Sequence, residues 1–289
     1  MHPPTNALGR LPVIPGAKVS RAAPLSPRRE WDPDPFPSRP ALGSLRRVAE
    51  VFAGHADFPS VEAMSVLVAA RTSASGAPLR FERQTKKARV RALSASYDGR
   101  IFLEGVVPTR ERSYHDYFNA LVWGAFPRAK AAVNERQYRA LEEIFARDGR
   151  MPAARTRQQD ALAMLDEGGL VLVTIEARWT GLVQALEVGD EGQVHRAVRA
   201  GEARVLLFGH ALAEHTISSE ALVRGLPVCL PLASLDLAPA ALGEVADAAL
   251  AAHVQRDFSA VSARSGGVRA LALCPALFRD EDASFPARP

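Results

Sequence analysis

The sequence predicts a mixed α/β or α+β fold: a single helix-rich domain with a small sheet and an irregular N-terminal arm. Three observations predict it. Segments with helical spacing of apolar residues alternate with short runs of branched apolar residues. No internal repeat and no linker divides the chain beyond residue 40. Residues 1–40, by contrast, are rich in Pro and Arg and carry no sustained periodicity. The expected division is therefore an arm over 1–40, with Trp31 and Phe36 as apolar points that could dock, and one globular domain over 41–289. A chain of 289 residues is long enough to bury a substantial core.

Taken in order, Leu45, Val48, Val51 and Phe52 predict a helix ending at Gly54. Ser60, after Pro59, caps a second helix through Ala70. Residues 79–107 read as extended. Pro78 to Arg83 alternates, and Asp98-Gly99 is a turn signal ahead of a short strand. The run Glu111–Lys130 opens with a helix that is stopped by Pro127. Asn134 with Gln137 forms a capping-box pattern for the next helix, whose apolar face is Tyr138, Leu141, Ile144 and Phe145. Arg155–Asp166 reads as helical, and Leu170–Ile175 as a buried strand. Gly181–Val188 and Glu191–Arg199 are short helices. Arg204–Phe208 is a second buried strand, running straight into Gly209–His215, and Pro239–Val254 is an Ala-rich helix.

Composition narrows the setting without naming a function. Hydrophobic residues make up 47% and charged residues 24%, the balance of a water-soluble globular chain. The net charge of +4 is spread along the sequence, so nucleic acid is not indicated beyond mild basicity. Lysine occurs only at 18, 86, 87 and 130, so Arg supplies most of the 36 basic residues, as in a GC-rich bacterial genome. Cys229 and Cys274 are the only cysteines and provide neither a disulfide framework nor a thiolate metal site. No signal-peptide core and no membrane-length apolar run is present, so a cytoplasmic setting without a membrane is expected. Oligomeric state is not legible. A phosphate-cradling Gly-rich loop, a nucleophile elbow and a His-Glu-x-x-His pair are missing, which disfavours the common nucleotide-binding, serine-hydrolase and zinc-protease classes.

Chemistry concentrates in three places. On the helix expected over 111–130, Phe118, Leu121, Val122, Ala125 and Phe126 form one apolar arc, and Ser113, Ala120 and Gly124 form a small-residue face. His115, Asn119, Arg112, Trp123 and Asp116 fall on a stripe between them. A packed helix must satisfy such polar groups internally or turn them into a cavity. His115 is the candidate general base. Asp116 and Asn119 could orient it, and Arg112 and Trp123 could contact a substrate. The plain alternative is a buried hydrogen-bond network.

In the second place, Gly209–Glu214, His210 and Glu214 stand one turn apart at a strand-to-helix junction. That spacing suits shared ligation of a divalent metal or a His–carboxylate dyad, and equally a structural cap. His215 points away. The third is Arg155–Asp160 followed by Asp166-Glu167-Gly168-Gly169. Asp160 is a candidate base or ligand and Arg157 a candidate clamp on an anionic substrate, against the alternatives of a surface pair and a plain helix-to-strand turn. Lys130 is a further candidate substrate contact, although a lysine in a loop is exposed by default. Thr109 and Arg110 could cap the helix that follows them or contact an anion.

These motifs belong to one pattern. Thr109-Arg110, His115-Asp116, Phe118-Asn119-Ala120-Leu121, Trp123, Phe126-Pro127, Lys130 and Asn134 come first. Asp160, Asp166-Glu167-Gly168 and Phe208-Gly209-His210-Ala211-Leu212 with Glu214 follow. Over roughly residues 95–215 the chain resembles the bacterial domain-of-unknown-function family numbered 3025. It departs at Tyr114, where that family has Trp, and at Gln159, where Arg is expected. The resemblance implies no activity, but it does imply that the three places form one hallmark. The expectation is an intracellular hydrolase, metal-assisted or not, with a small-molecule or anionic substrate. The competing expectation is a non-catalytic binding protein in which the stripe is structural.

Overall fold

The computed structural model describes residues 30–84, 92–218, 222–263, 270–274 and 277–278. The chain divides into the units Met1–Trp31 and Asp32–Pro289. Most of the arm expected over 1–40 lies outside the described residues, while Phe36 is buried within the second unit. Among the described residues no helix is long and apolar enough to cross a membrane.

The second unit is mixed α/β. Helix α1 (Gly43–Ala49) runs into a 3-10 turn, and α2 (Val61–Met64) does the same. Ser60 caps α2 by accepting the Ala63 N–H at 3.1 Å. Strand β1 (Arg80–Arg83), helix α3 (Tyr97–Glu104) and strand β2 (Val106–Thr109) make a two-stranded parallel unit, for which α3 is the crossover. This corrects the expectation of a turn at Asp98-Gly99. Ser96 accepts the Gly99 N–H at 2.9 Å and caps a helix. Gly105 then closes it with φ +69°, a conformation that favours glycine, and a Cβ there would lie 2.0 Å from the Pro78 carbonyl oxygen.

Within Glu111–Lys130 one helix stops ahead of Pro127, as expected, but the next begins at that proline and not near Asn134. Helix α4 (Tyr114–Ala125) begins after Ser113, whose hydroxyl accepts the Asp116 N–H. Helix α5 (Pro127–Asp148) starts at the proline that was expected to end the run. Proline disfavours helical backbone at the residue before it, so Phe126 leaves the helix (φ −129°, ψ 55°), while Pro127 itself suits a first helical position. No local side chain caps α5. Asp247 of α10 (Pro239–Ala263) caps it instead, accepting from Arg128 N at 3.1 Å and Ala129 N at 2.8 Å. Asn134 and Gln137 are therefore mid-helix and buried, not a capping box.

Helix α6 (Arg157–Gly168) has its own capping box from Thr156 and Gln159 and leads into β3 (Gly169–Ile175). Helices α7 (Glu176–Val188) and α8 (Glu191–Arg199) precede β4 (Ala203–Leu207), and α9 (His210–Ser218) precedes β5 (Arg224–Leu232). The short β6 (Leu271–Ala272) completes a sheet ordered β4-β3-β5-β6. Strand β3 pairs antiparallel with β4 and parallel with β5. β5 has no counterpart in the sequence reading, because Pro227 and Pro231 argue against a strand. Their shared parity turns both missing N–H groups to one side, and among the described residues β6 pairs with β5 at Arg224 and Gly225.

Helix α4 is enclosed. Tyr117, Phe118, Leu121, Val122 and Trp123 are essentially inaccessible, and Phe126 meets Phe208 edge-on at 5.5 Å. A Cβ on Gly124 would lie 2.5 Å from Val48 Cγ1, so the small-residue face admits α1.

Candidate active site

Two connections bring the distant motifs together. At the end of β4, Phe208 N and Gly209 N both donate to the Gly169 carbonyl, at 3.1 and 2.8 Å. A Cβ on Gly209 would lie 2.5 Å from Gly169 N and 2.6 Å from the Glu167 oxygen, so only glycine allows this approach. The junction places His210, the first residue of α9, against the end of α6. There His210 Nδ1 donates to the Asp166 carbonyl oxygen at 2.7 Å.

The second connection is the packing of α4 on α9. His115 Nε2 lies 3.2 Å from His210 Nε2, the rings crossing at 75° with centroids 4.6 Å apart. On its other side, His115 Nδ1 lies 3.1 Å from Glu214 Oε2. Glu214, His115, His210 and the Asp166 carbonyl thus form one continuous series across two helices and a turn. His210 is almost fully enclosed, whereas the His115 side chain keeps about a third of its surface (32%) and Glu214 27%. Burial drives His210 down to about 4, outweighing the opposing Asp166 charge.

Beneath the histidines lies a buried polar set. Lys130, 4% exposed, donates to Asn119 Oδ1 at 2.8 Å and Asp166 Oδ1 at 2.5 Å, with Nζ 5.4 Å from the centre of the Trp123 ring. Burial alone would raise Asp166, but the Lys130 ammonium, with His210, outweighs it and holds the carboxyl below its ordinary range. Asn119 Nδ2 donates to the Tyr97 hydroxyl at 3.4 Å. Tyr97 as a whole is half exposed (45%), but its hydroxyl end is pushed well above the usual phenol range, first by burial and then by the Asp166 charge. Beside it, burial raises Asp98 to about 6, against a hydrogen bond from Asn134.

The structure distributes the sequence candidates unevenly. His115, Asn119, Lys130, His210 and Glu214 meet. His210 and Glu214, expected to close on one ion, instead take opposite sides of His115. Asp116 is occupied elsewhere, because Arg110 clamps it through Nε (2.8 Å), Nη2 (3.0 Å) and its backbone N–H (2.6 Å), tying β2 to α4. Arg112 precedes the helix with φ +53° and pairs with Asp57, so it is not on the stripe. Trp123 is core, 1% exposed, with no hydrogen-bond partner for Nε1 among the described residues. Lys130 is a buried helical residue, not a loop lysine. Asp160 and Arg157 are exposed in the first turn of α6 and lie outside the hydrogen-bonded set.

Three participants had little sequence signal. Tyr97 and Asp98 sit on the helix misread as a turn; the signal was Ser96, a capping residue three positions ahead of Gly99. Asp166, within the Asp-Glu-Gly part of the hallmark, reads equally as a turn residue, yet its carbonyl and carboxylate both serve the cluster. Among the described residues, no group of three or more His, Cys, Asp or Glu could hold a metal ion.

The model of the family described as "Protein of unknown function (DUF3025)" matches residues 79–272, and the chain belongs to that family. No curated protein and no solved structure matches the chain.

Proposed function

We propose that this member of the family is an enzyme, a hydrolase of a small polar substrate, with His115 as its proton-transferring residue. The observation that carries the reading is the facing of the two Nε2 atoms at 3.2 Å while each Nδ1 is already committed. A carbonyl oxygen only accepts, so His210 keeps a proton on Nδ1 and presents a lone pair at Nε2. Glu214 accepts from His115 Nδ1 in the same way. Two lone pairs would then oppose each other, and the contact is attractive only with one further proton between them. That proton is the one the site can lend to a substrate.

In hydrolysis, His115 Nε2 would give that proton to the leaving group and take one back from the attacking water, which restores the starting state. Its partial exposure supports His115 as the residue that meets substrate, with His210 enclosed behind it. Asn119 and the Tyr97 hydroxyl, held on the Lys130–Asp166 pair, would position a polar substrate oxygen. The test is turnover of chromogenic ester, phosphoester and amide panels by wild type, His115→Ala and His210→Ala, with the exposed Asp160→Ala for comparison. Loss of about 10²–10⁴-fold in the histidine variants is expected. Absence of turnover in every class, or equal rates in wild type and His115→Ala, overturns the reading.

A second reading is favoured by the satisfaction of Asp116, Asn119 and Lys130 within the protein: a binding or interaction protein in which the stripe is a structural network. On that reading, His115→Ala lowers thermal stability and changes no rate.

A further inference from the structure

We propose that Cys274 is a reactive thiol with His195 as its base, and that a low-molecular-weight disulfide modifies it. The pair stands on other elements than His115 and His210, and it does not rest on the hydrolytic reading.

The two cysteines differ in their surroundings. Cys229 lies within β5 opposite Leu172 of β3, and burial pushes its thiol up to about 12. Cys274, two residues past β6, is half-buried, and its Sγ lies 3.5 Å from His195 Nε2 on α8. Those residues are 79 positions apart, so packing makes the contact and local sequence does not. A thiolate, not a thiol, is the nucleophile, and a neighbouring imidazole that takes the proton produces it.

The surroundings fix both partners and leave room beside them. Leu273 N donates to the Val223 carbonyl at 2.9 Å and Cys274 N to the Ala272 carbonyl at 3.0 Å, which holds the backbone leading to the sulfur. One turn before His195, Glu191 pairs with Arg224 of β5, whose guanidinium also donates to the Ala270 carbonyl. Residues four apart share a helix face, so α8 meets the β6 segment at two points about 5–6 Å apart. At the first of them opens a small cleft of about 130 Å³, lined by Leu186, Asp190, Glu191, Arg224, Ala270 and Leu271. A small molecule resting there lies one helical turn from the sulfur, and the half-exposed Arg224 offers a cation to an anionic group on it.

In the exchange, Cys274 Sγ passes its proton to His195 and attacks one sulfur of the disulfide. A new S–S bond forms as the old one breaks. The other half of the reagent leaves as a thiolate and takes the proton from His195. The Cys274 sulfur is oxidised, the leaving sulfur is reduced, and a free thiol reverses the step.

The test treats the folded, full-length protein with an aromatic disulfide whose released thiolate is coloured. One fast equivalent is expected in wild type and in Cys229→Ala, and none in Cys274→Ala. An unassisted thiol is only a few per cent thiolate at pH 7, so His195→Gln should slow Cys274 by about tenfold there. The gap should close near about pH 9.5, above the ordinary thiol range, where the base is no longer needed. A purely structural His195 would shift the rate equally at both pH values. Cys274 reacting no faster than Cys229, or folded His195→Gln reacting at the wild-type rate at pH 7, overturns the proposal. So does a wild-type rate that falls about 20–30-fold between about pH 9 and pH 7, the behaviour of an unassisted thiol, a measurement that needs no variant.

Discussion

Replacing Lys130 by Met tests whether the buried cluster is an ion pair on which the fold depends. The substitution keeps the length of the side chain and removes its charge. It deletes the donors to Asp166 Oδ1 (2.5 Å) and Asn119 Oδ1 (2.8 Å), and it leaves the Asp166 carboxylate facing an apolar neighbour. Breaking a buried pair in this way costs about 3–5 kcal/mol, because the surviving charge is left uncompensated. Asp166 keeps 22% of its side-chain surface against 4% for Lys130, so water relieves part of that cost. The lower end, about 3 kcal/mol, is expected, equivalent to a fall of roughly 6–12 °C in Tm. Urea unfolding followed by circular dichroism measures it, in a cycle with Asp166→Asn and the double variant. The double variant should be less destabilised than the sum of the singles, since the stranded charge is gone. A cost below about 1 kcal/mol, the value of an exposed pair, or strict additivity in the cycle, would refute the reasoning.

Three other outcomes follow from the geometry. Gly209→Ala should cost at least about 1–3 kcal/mol, since the new methyl meets backbone at 2.5 Å and cannot be accommodated by a rotamer change; Gly124→Ala, which meets the movable Val48 side chain, should cost less in the same thermal melts. Asp98→Asn should stabilise the protein at pH 7 by about 1–2 kcal/mol. Burial raises the Asp98 carboxyl from 3.8 to about 6 in the folded chain, so its contribution is fully present below pH 4 and is lost as pH rises through 6. The wild type minus variant difference in denaturation midpoint should track that window, and a flat difference between pH 4 and 7 would contradict it. Asp247→Ala removes both side-chain acceptors at the start of α5 and should lower stability by about 1–3 kcal/mol, with hydrogen exchange rising at Arg128 and Ala129 first.

What the sequence determined by itself is what depends on neighbours in the chain. The β3 run is apolar enough to be a buried strand wherever it lies. Ser60 can cap α2 because its partner is three residues away, and Phe118, Leu121 and Val122 repeat at helical spacing whatever packs on them. The enclosure of α4 was legible for the same reason: that helix lacks the Lys and Glu of a solvated surface. The same local rules erred where signals compete. Asp98-Gly99 serves a turn as readily as a helix start, Pro127 ends one helix and begins another, and Pro227 and Pro231 are tolerable in β5 because their shared parity turns both missing N–H groups to one side of the strand.

Tertiary structure decided the rest. Asp247 caps α5 from more than a hundred residues away, and no pattern near Phe126 announces it. The burial of Lys130 depends on the backbone break at Phe126, which lets its ammonium meet Asn119 and Asp166. His115 and His210 are 95 positions apart, and sequence could mark each as unusual without pairing their Nε2 atoms. That pairing is set by the packing of α4 on α9 and by the fit of Gly209 against Gly169. Glu214 shows the difference most plainly. Its spacing from His210 suggested a shared ion, but the direction in which α4 crosses α9 gives its carboxylate to His115 instead.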